Sequence, residues 1–77
     1  MRYDRLYNVY VAQDLESAGI RVSAINYQNN TLLVVVPTRD WEEAEDIVLD
    51  TLDSQGVEAY PLQPTVDANL TNLYFEV

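Results

Sequence analysis

A chain of 77 residues forms one domain at most, and at that size folding buries only about 60% of the surface the unfolded chain exposes. Thirteen Asp and Glu stand against four Arg, with no Lys, His or Cys, so the formal net charge is -9. A disulfide or zinc framework is therefore excluded, and the negative charge argues against direct binding of nucleic acid or of an anionic membrane.

Hydrophobic residues make up 48% of the chain, unlike the poorly hydrophobic, highly charged composition of disordered segments. The N-terminus lacks the long apolar stretch of a signal peptide, and the longest apolar run, LLVVV at 32–36, is too short to span a bilayer. A cytoplasmic protein is expected.

In chain order, a first helix is expected over about residues 4–18, closed by Gly19 as a left-handed cap. Tyr7, Val11, Leu15 and Ala18 make its apolar stripe. Residues 20–27 read as a strand in which Ile20, Val22 and Ala24 alternate with Arg21 and Ser23. Asn29 and Asn30 suit the positive φ of a tight hairpin turn. Residues 31–36 then form a return strand, apolar on both faces and so central, which Pro37 ends.

A second helix follows, with Thr38 as its N-terminal cap and Asp40, Glu42 and Glu43 where exposed N–H groups favour negative charge. Gly56 stops it. Trp41, Ala44, Ile47, Val48, Thr51, Leu52 and Gln55 share one side, the side expected to pack. Residues 57–62 read as a short strand that Pro61 confines to an edge or a bulge. Residues 64–69 are turn-like, and 70–77 offer a last strand with Leu73, Phe75 and Val77 on one face and Tyr74 and Glu76 on the other. The expected architecture is α+β: a small two-layer sandwich in α-β-β-α-β-β order, with two helices on one face of a mainly antiparallel sheet.

Six carboxylates fall within DWEEAEDIVLD at 40–50. Helical phase sets Glu42, Asp46 and Asp53 opposite the packed side, flanked by Glu43 and Asp50 on one side and by Glu45 on the other. From Glu42 to Asp53 the rise is about 16 Å. Like charges at i, i+3 and i+4 disfavour a helix, and no Lys or Arg between Glu42 and Asp53 offsets them. The same phase turns Leu49 toward the acidic side, either as an ordinary lone exposed leucine or, if it contacts a partner, as an apolar anchor within a charged rim. Asp4, Asp14, Glu16, Glu58, Asp67 and Glu76 are candidates to extend the negative field.

Three explanations compete for this face: solubility, high-salt adaptation in which screening removes the repulsion, and imitation of a run of phosphates that occupies a basic groove. Glu42 with Asp46, and Asp46 with Asp50, have a spacing that suits a shared cation, but metal sites need several converging ligands in a shaped pocket. No nucleophile–base pair and no glycine-rich phosphate loop is present, so no enzyme activity, cofactor or metal is expected. Among the tyrosines, Tyr7 and Tyr60 are expected in the core; Tyr3, Tyr10, Tyr27 and Tyr74 are contact candidates.

In size, in acidity, in lacking Cys and His, and in the EEAED cluster at 42–46, the chain resembles small acidic phage-encoded inhibitors of the anti-CRISPR type. That resemblance implies a protein that imitates nucleic acid electrostatically and blocks a basic groove of a CRISPR surveillance complex. The expected partner is thus a basic nucleic-acid-binding protein or complex, met through Glu42, Glu43, Glu45, Asp46, Leu49, Asp50 and Asp53. The alternative is a small structural or assembly protein that forms homo-oligomers and uses its acidity for solubility or for life in high salt.

Overall fold

The computed structural model describes residues 3–77. Its radius of gyration is 11.1 Å, against about 11.5 Å for a compact chain of this length, so these residues form a single α+β domain. Helix α1 spans Tyr7–Ser17 and helix α2 Trp41–Ser54. The strands are β1 (Ala24–Gln28), β2 (Thr31–Pro37), β3 (Tyr60–Pro61), β4 (Thr65–Val66) and β5 (Leu70–Glu76). They build one open sheet in the order β1-β2-β5-β3, with β4 also beside β5, and every pairing is antiparallel.

The core is written in alternate residues. Leu32, Val34 and Val36 of β2 and Leu73 and Phe75 of β5 are fully buried, as are Val11 and Leu15 of α1 and Ala44, Val48 and Leu52 of α2. Together they form one cluster, so both helices pack with alternate residues of each strand, the even-numbered ones of β2 and the odd-numbered ones of β5. The residues between them, including Leu33, Val35 and Tyr74, stay half-buried. As expected, β2 is central.

Both helices end alike. Ile20 N–H donates to Leu15 O and Gly19 N–H to Glu16 O, both at 3.0 Å; Val57 N–H donates to Leu52 O at 2.9 Å and Gly56 N–H to Asp53 O at 3.0 Å. Gly19 (φ 81°) and Gly56 (φ 75°) are left-handed, as such caps require. The residue after each glycine, Ile20 or Val57, is buried with Leu15 or Leu52. Asn29 (φ 52°) and Asn30 (φ 61°) make the expected two-residue turn between β1 and β2.

Several boundaries differ from the sequence expectation. Residues 4–6 form a tight turn rather than helix: Leu6 N–H donates to the Asp4 carboxylate, and i→i−3 bonds such as Tyr7 N–H to Asp4 O precede the α-helical ladder. The first strand starts at Ala24, not at residue 20. Ser23 N–H donates to Val35 O at 2.8 Å although Val35 is the register partner of Ala24, so two residues oppose one. This extra residue reverses the alternation: Ile20 is buried and Val22 half-buried, Ser23 and Ala24 are both exposed, and Ile25 and Tyr27 turn inward.

Thr38 does not cap α2. It opens a 3-10 turn, Thr38–Asp40, and its hydroxyl serves the far end of the chain, 2.5 Å from Asp67 O and 2.9 Å from Thr71 Oγ1. Thr71 is fully buried, and this contact is what satisfies it. Gln55 lies beyond the end of α2 and is exposed rather than packed. The expected strand at 57–62 is reduced to β3, and the turn-like 64–69 contains β4, because Pro61 and Pro64 interrupt one continuous pairing along β5. The element order is accordingly α-β-β-α-β-β-β.

Two tyrosines exchange roles. Tyr3 is buried, its ring edge-on to Tyr7 at 5.5 Å and tilted against Tyr27 at 4.6 Å, with its hydroxyl bonded to Asn8 Oδ1. Burial raises its pKa above the ordinary phenol value, with Tyr27 and Asp4 adding to the shift. Tyr60, expected in the core, is 55% exposed on the edge strand β3.

Candidate protein-binding surface

The acidic stripe follows from the packing of α2. Burial of Ala44, Val48, Thr51 and Leu52 leaves Glu42, Glu43, Asp46, Asp50 and Asp53 all exposed on the far side. Among the described residues the one ion pair within 4.0 Å joins Arg39 to Asp40 at 3.6 Å, ahead of the stripe. Among the described residues the stripe therefore has no paired counter-charge, and its field projects into solvent.

Two of the expected binding residues sit elsewhere. Leu49 is half-buried against the core rather than free on the acidic side. The segment after Gly56 folds back along that flank, and Leu49 forms part of an open cleft of about 370 Å³ with Val57, Glu58 and Tyr60. Glu45 is half-buried on the same flank, in a groove beside Trp41, Pro61 and Leu62. Loss of hydration raises its pKa above the ordinary 4.5, and the negative charges of Asp46 and Glu42 push it the same way.

The fold brings further acids to the stripe. Asp50 and Asp53 line the same cleft as Glu58. Tyr60 hydroxyl donates to Glu58 Oε2 at 2.9 Å, and this bond, ahead of the Glu58 charge, raises the Tyr60 pKa. Glu76 is the register partner of Tyr60, so the negative surface runs from α2 through Glu58 to β5. On its other side Asp50 borders the groove between the helices, which Asp14 also lines. Asp67 lies at the opposite end of β5, where its carbonyl takes the Thr38 hydroxyl.

Sequence reasoning left Tyr60 and Glu58 unpaired. Their spacing of two in an extended segment places both side chains on one side of the chain, which is the signal that would have joined them. Among the described residues no three carboxylates converge to hold a metal ion. Likewise among the described residues, no helix is long and apolar enough to cross a membrane. The chain matches no model of a known protein family, and no curated protein matches it significantly.

Proposed function

We propose that this protein is a non-enzymatic inhibitor that binds a basic surface of a nucleic-acid-binding protein or complex, a CRISPR surveillance complex among the candidates, and excludes nucleic acid by occupying its site. The observation that carries this reading is the exposed run Glu42, Glu43, Asp46, Asp50 and Asp53 on one helix without compensating bases. Phosphate-binding surfaces present Arg and Lys at the corresponding places, and carboxylates held by a folded helix would pair with them without first ordering a loop. Asp14, Glu58 and Glu76 widen the negative field, and such fields accelerate encounter with a basic partner. Leu49 and the half-buried Glu45 support the stripe from beneath.

The same reading takes the fold as two layers, with both helices on one face of the sheet. That arrangement keeps the acidic stripe on the outermost surface of α2.

The test is affinity capture from lysate of the natural host, washed at rising salt, beside the double variant Asp46→Lys, Asp50→Lys. A basic nucleic-acid-binding protein should be retained by the native chain, released by salt and lost with the variant. Capture of partners lacking a basic surface, or retention unchanged by the variant, would refute the proposal.

A further inference from the structure

The two edges of the sheet are treated differently by the sequence. One edge, formed by β3 and β4 along β5, is made of two-residue strands interrupted by Pro61 and Pro64, with Glu58, Asp67 and Glu76 nearby. Prolines, short strands and charge are the devices by which proteins block unwanted edge pairing. The other edge, β1, reads AINYQ: five consecutive residues with no proline and no charge, in a chain of net charge -9.

The outward-facing groups of β1 can be assigned. The two-residue turn makes Gln28 and Thr31 a hydrogen-bonded pair, so Asn26 and Ala24 also bond inward to β2. Ile25 and Tyr27 therefore point their backbone N–H and C=O away from the sheet. Among the described residues no backbone group pairs with them.

We infer that β1 pairs antiparallel with β1 of a second copy, about a two-fold axis through Asn26, to join two sheets into one. The strand is self-complementary in this register, as a two-fold contact requires. Ile25 of each copy exchanges backbone bonds with Tyr27 of the other, and the two side chains form a β-branched–aromatic pair on the helix side. Asn26 meets its own copy on the other face.

Charge selects the same edge. Asp14 faces α2 through Thr51, whereas Asn8, about a third of a turn away around α1, meets Tyr3, which packs on Tyr27 of β1. The side of α1 nearest the free edge thus carries Val9, Ala12 and Glu16, with Arg5 in the turn that leads into it. Arg5 makes no ion pair among the described residues, and Val9 is 50% exposed. A two-fold axis across that side turns the Arg5 end of one helix toward the Glu16 end of the other. The uncompensated stripe of α2 stays remote, since α2 reaches β3 at the opposite edge while α1 packs on β1. Two strongly negative chains can meet here at the least electrostatic cost.

This inference is independent of the proposed inhibitory role and has the opposite salt dependence. Sedimentation equilibrium on the full chain should show a monomer–dimer equilibrium that tightens as salt screens the net repulsion, whereas a complex with a basic partner weakens. Asn26→Lys lowers the net negative charge, yet places two like charges face to face at the axis. It should weaken the dimer by about tenfold or more. Hydrogen exchange should show the Ile25 and Tyr27 amides gaining protection with protein concentration. A chain that stays monomeric at high salt and millimolar concentration overturns the inference, as does a dimer unaffected by Asn26→Lys. A dimer in which the Ile25 and Tyr27 amides stay unprotected overturns it too, whatever the variant does.

Discussion

Thr51 of α2 and Asp14 of α1 lie 2.6 Å apart, hydroxyl oxygen to carboxylate oxygen, and tie the two helices together beside the core. Thr51 Oγ1 is also 2.8 Å from Ile47 O, so its single hydrogen has two acceptors and the tie to Asp14 competes with a bond inside α2. Thr51→Val keeps the shape and removes the hydroxyl. Because Asp14 is exposed and regains water, the expected loss is about 1 kcal/mol. Urea denaturation of the variant beside the native chain measures it.

A larger effect is expected where the hydroxyl partner is deeply buried. Thr38 donates to Asp67 O, which leaves fully buried Thr71 to donate to Thr38. Thr38→Val strands the Thr71 hydroxyl and should cost about 2 kcal/mol, while Thr71→Val should stay within about 1 kcal/mol. In the double variant the loss should be smaller than the sum of the two. A double-mutant cycle from denaturation curves that proves additive would show the pair to be uncoupled.

The two helix caps offer a cleaner comparison. A Cβ added at Gly19 or Gly56 meets nothing within 4 Å, so alanine there introduces backbone strain without a clash. With φ at 81° and 75°, each Gly→Ala change should lower stability by about 1 kcal/mol. The caps belong to different helices, and their effects should add in calorimetry.

The pH dependence of Glu45 has a definite sign. Its pKa is raised in the folded chain by lost hydration and by Asp46 and Glu42, so the folded state holds the proton more tightly than the unfolded one. Stability therefore falls as pH rises from the ordinary value of 4.5 through the raised one, and is lower throughout at neutral pH. Glu45→Gln should raise the melting temperature at neutral pH and lose most of that advantage below the carboxylate range. Melting curves across pH show whether the two proteins converge.

The proposed partner binding and stability should move in opposite directions along the acidic stripe. Asp46 is flanked at i−4 and i+4 by Glu42 and Asp50, two like-charge pairs on the exposed face. Asp46→Lys replaces both with attractive pairs and should stabilise α2 by about 0.5–1 kcal/mol at low salt. The single variant, expected to bind the proposed partner more weakly, should thus melt higher; in the double variant with Asp50→Lys the new Lys–Lys pair at i, i+4 removes part of that gain. A lower melting temperature would show that Asp46 has a supporting role in the fold.

What the sequence determined by itself was local. The left-handed glycines after α1 and α2, the Asn29–Asn30 turn and the phase of α2 each depend on neighbours a few residues away, and the burial of Ala44, Val48 and Leu52 follows from that phase. Tertiary structure decided the rest. The extra residue at Ser23–Ala24 becomes visible only against Val35 across the ladder, and it reversed which residues of β1 turn inward. Leu49 and Glu45 have the helical phase of flanking positions, and the segment after Gly56 set how much water they keep. Thr38 looked like a cap because its neighbours form a helix, yet its hydroxyl went to Asp67 and Thr71, about thirty residues on. Local periodicity assigns a side chain to a face; whether that face stays wet depends on what the rest of the chain lays over it.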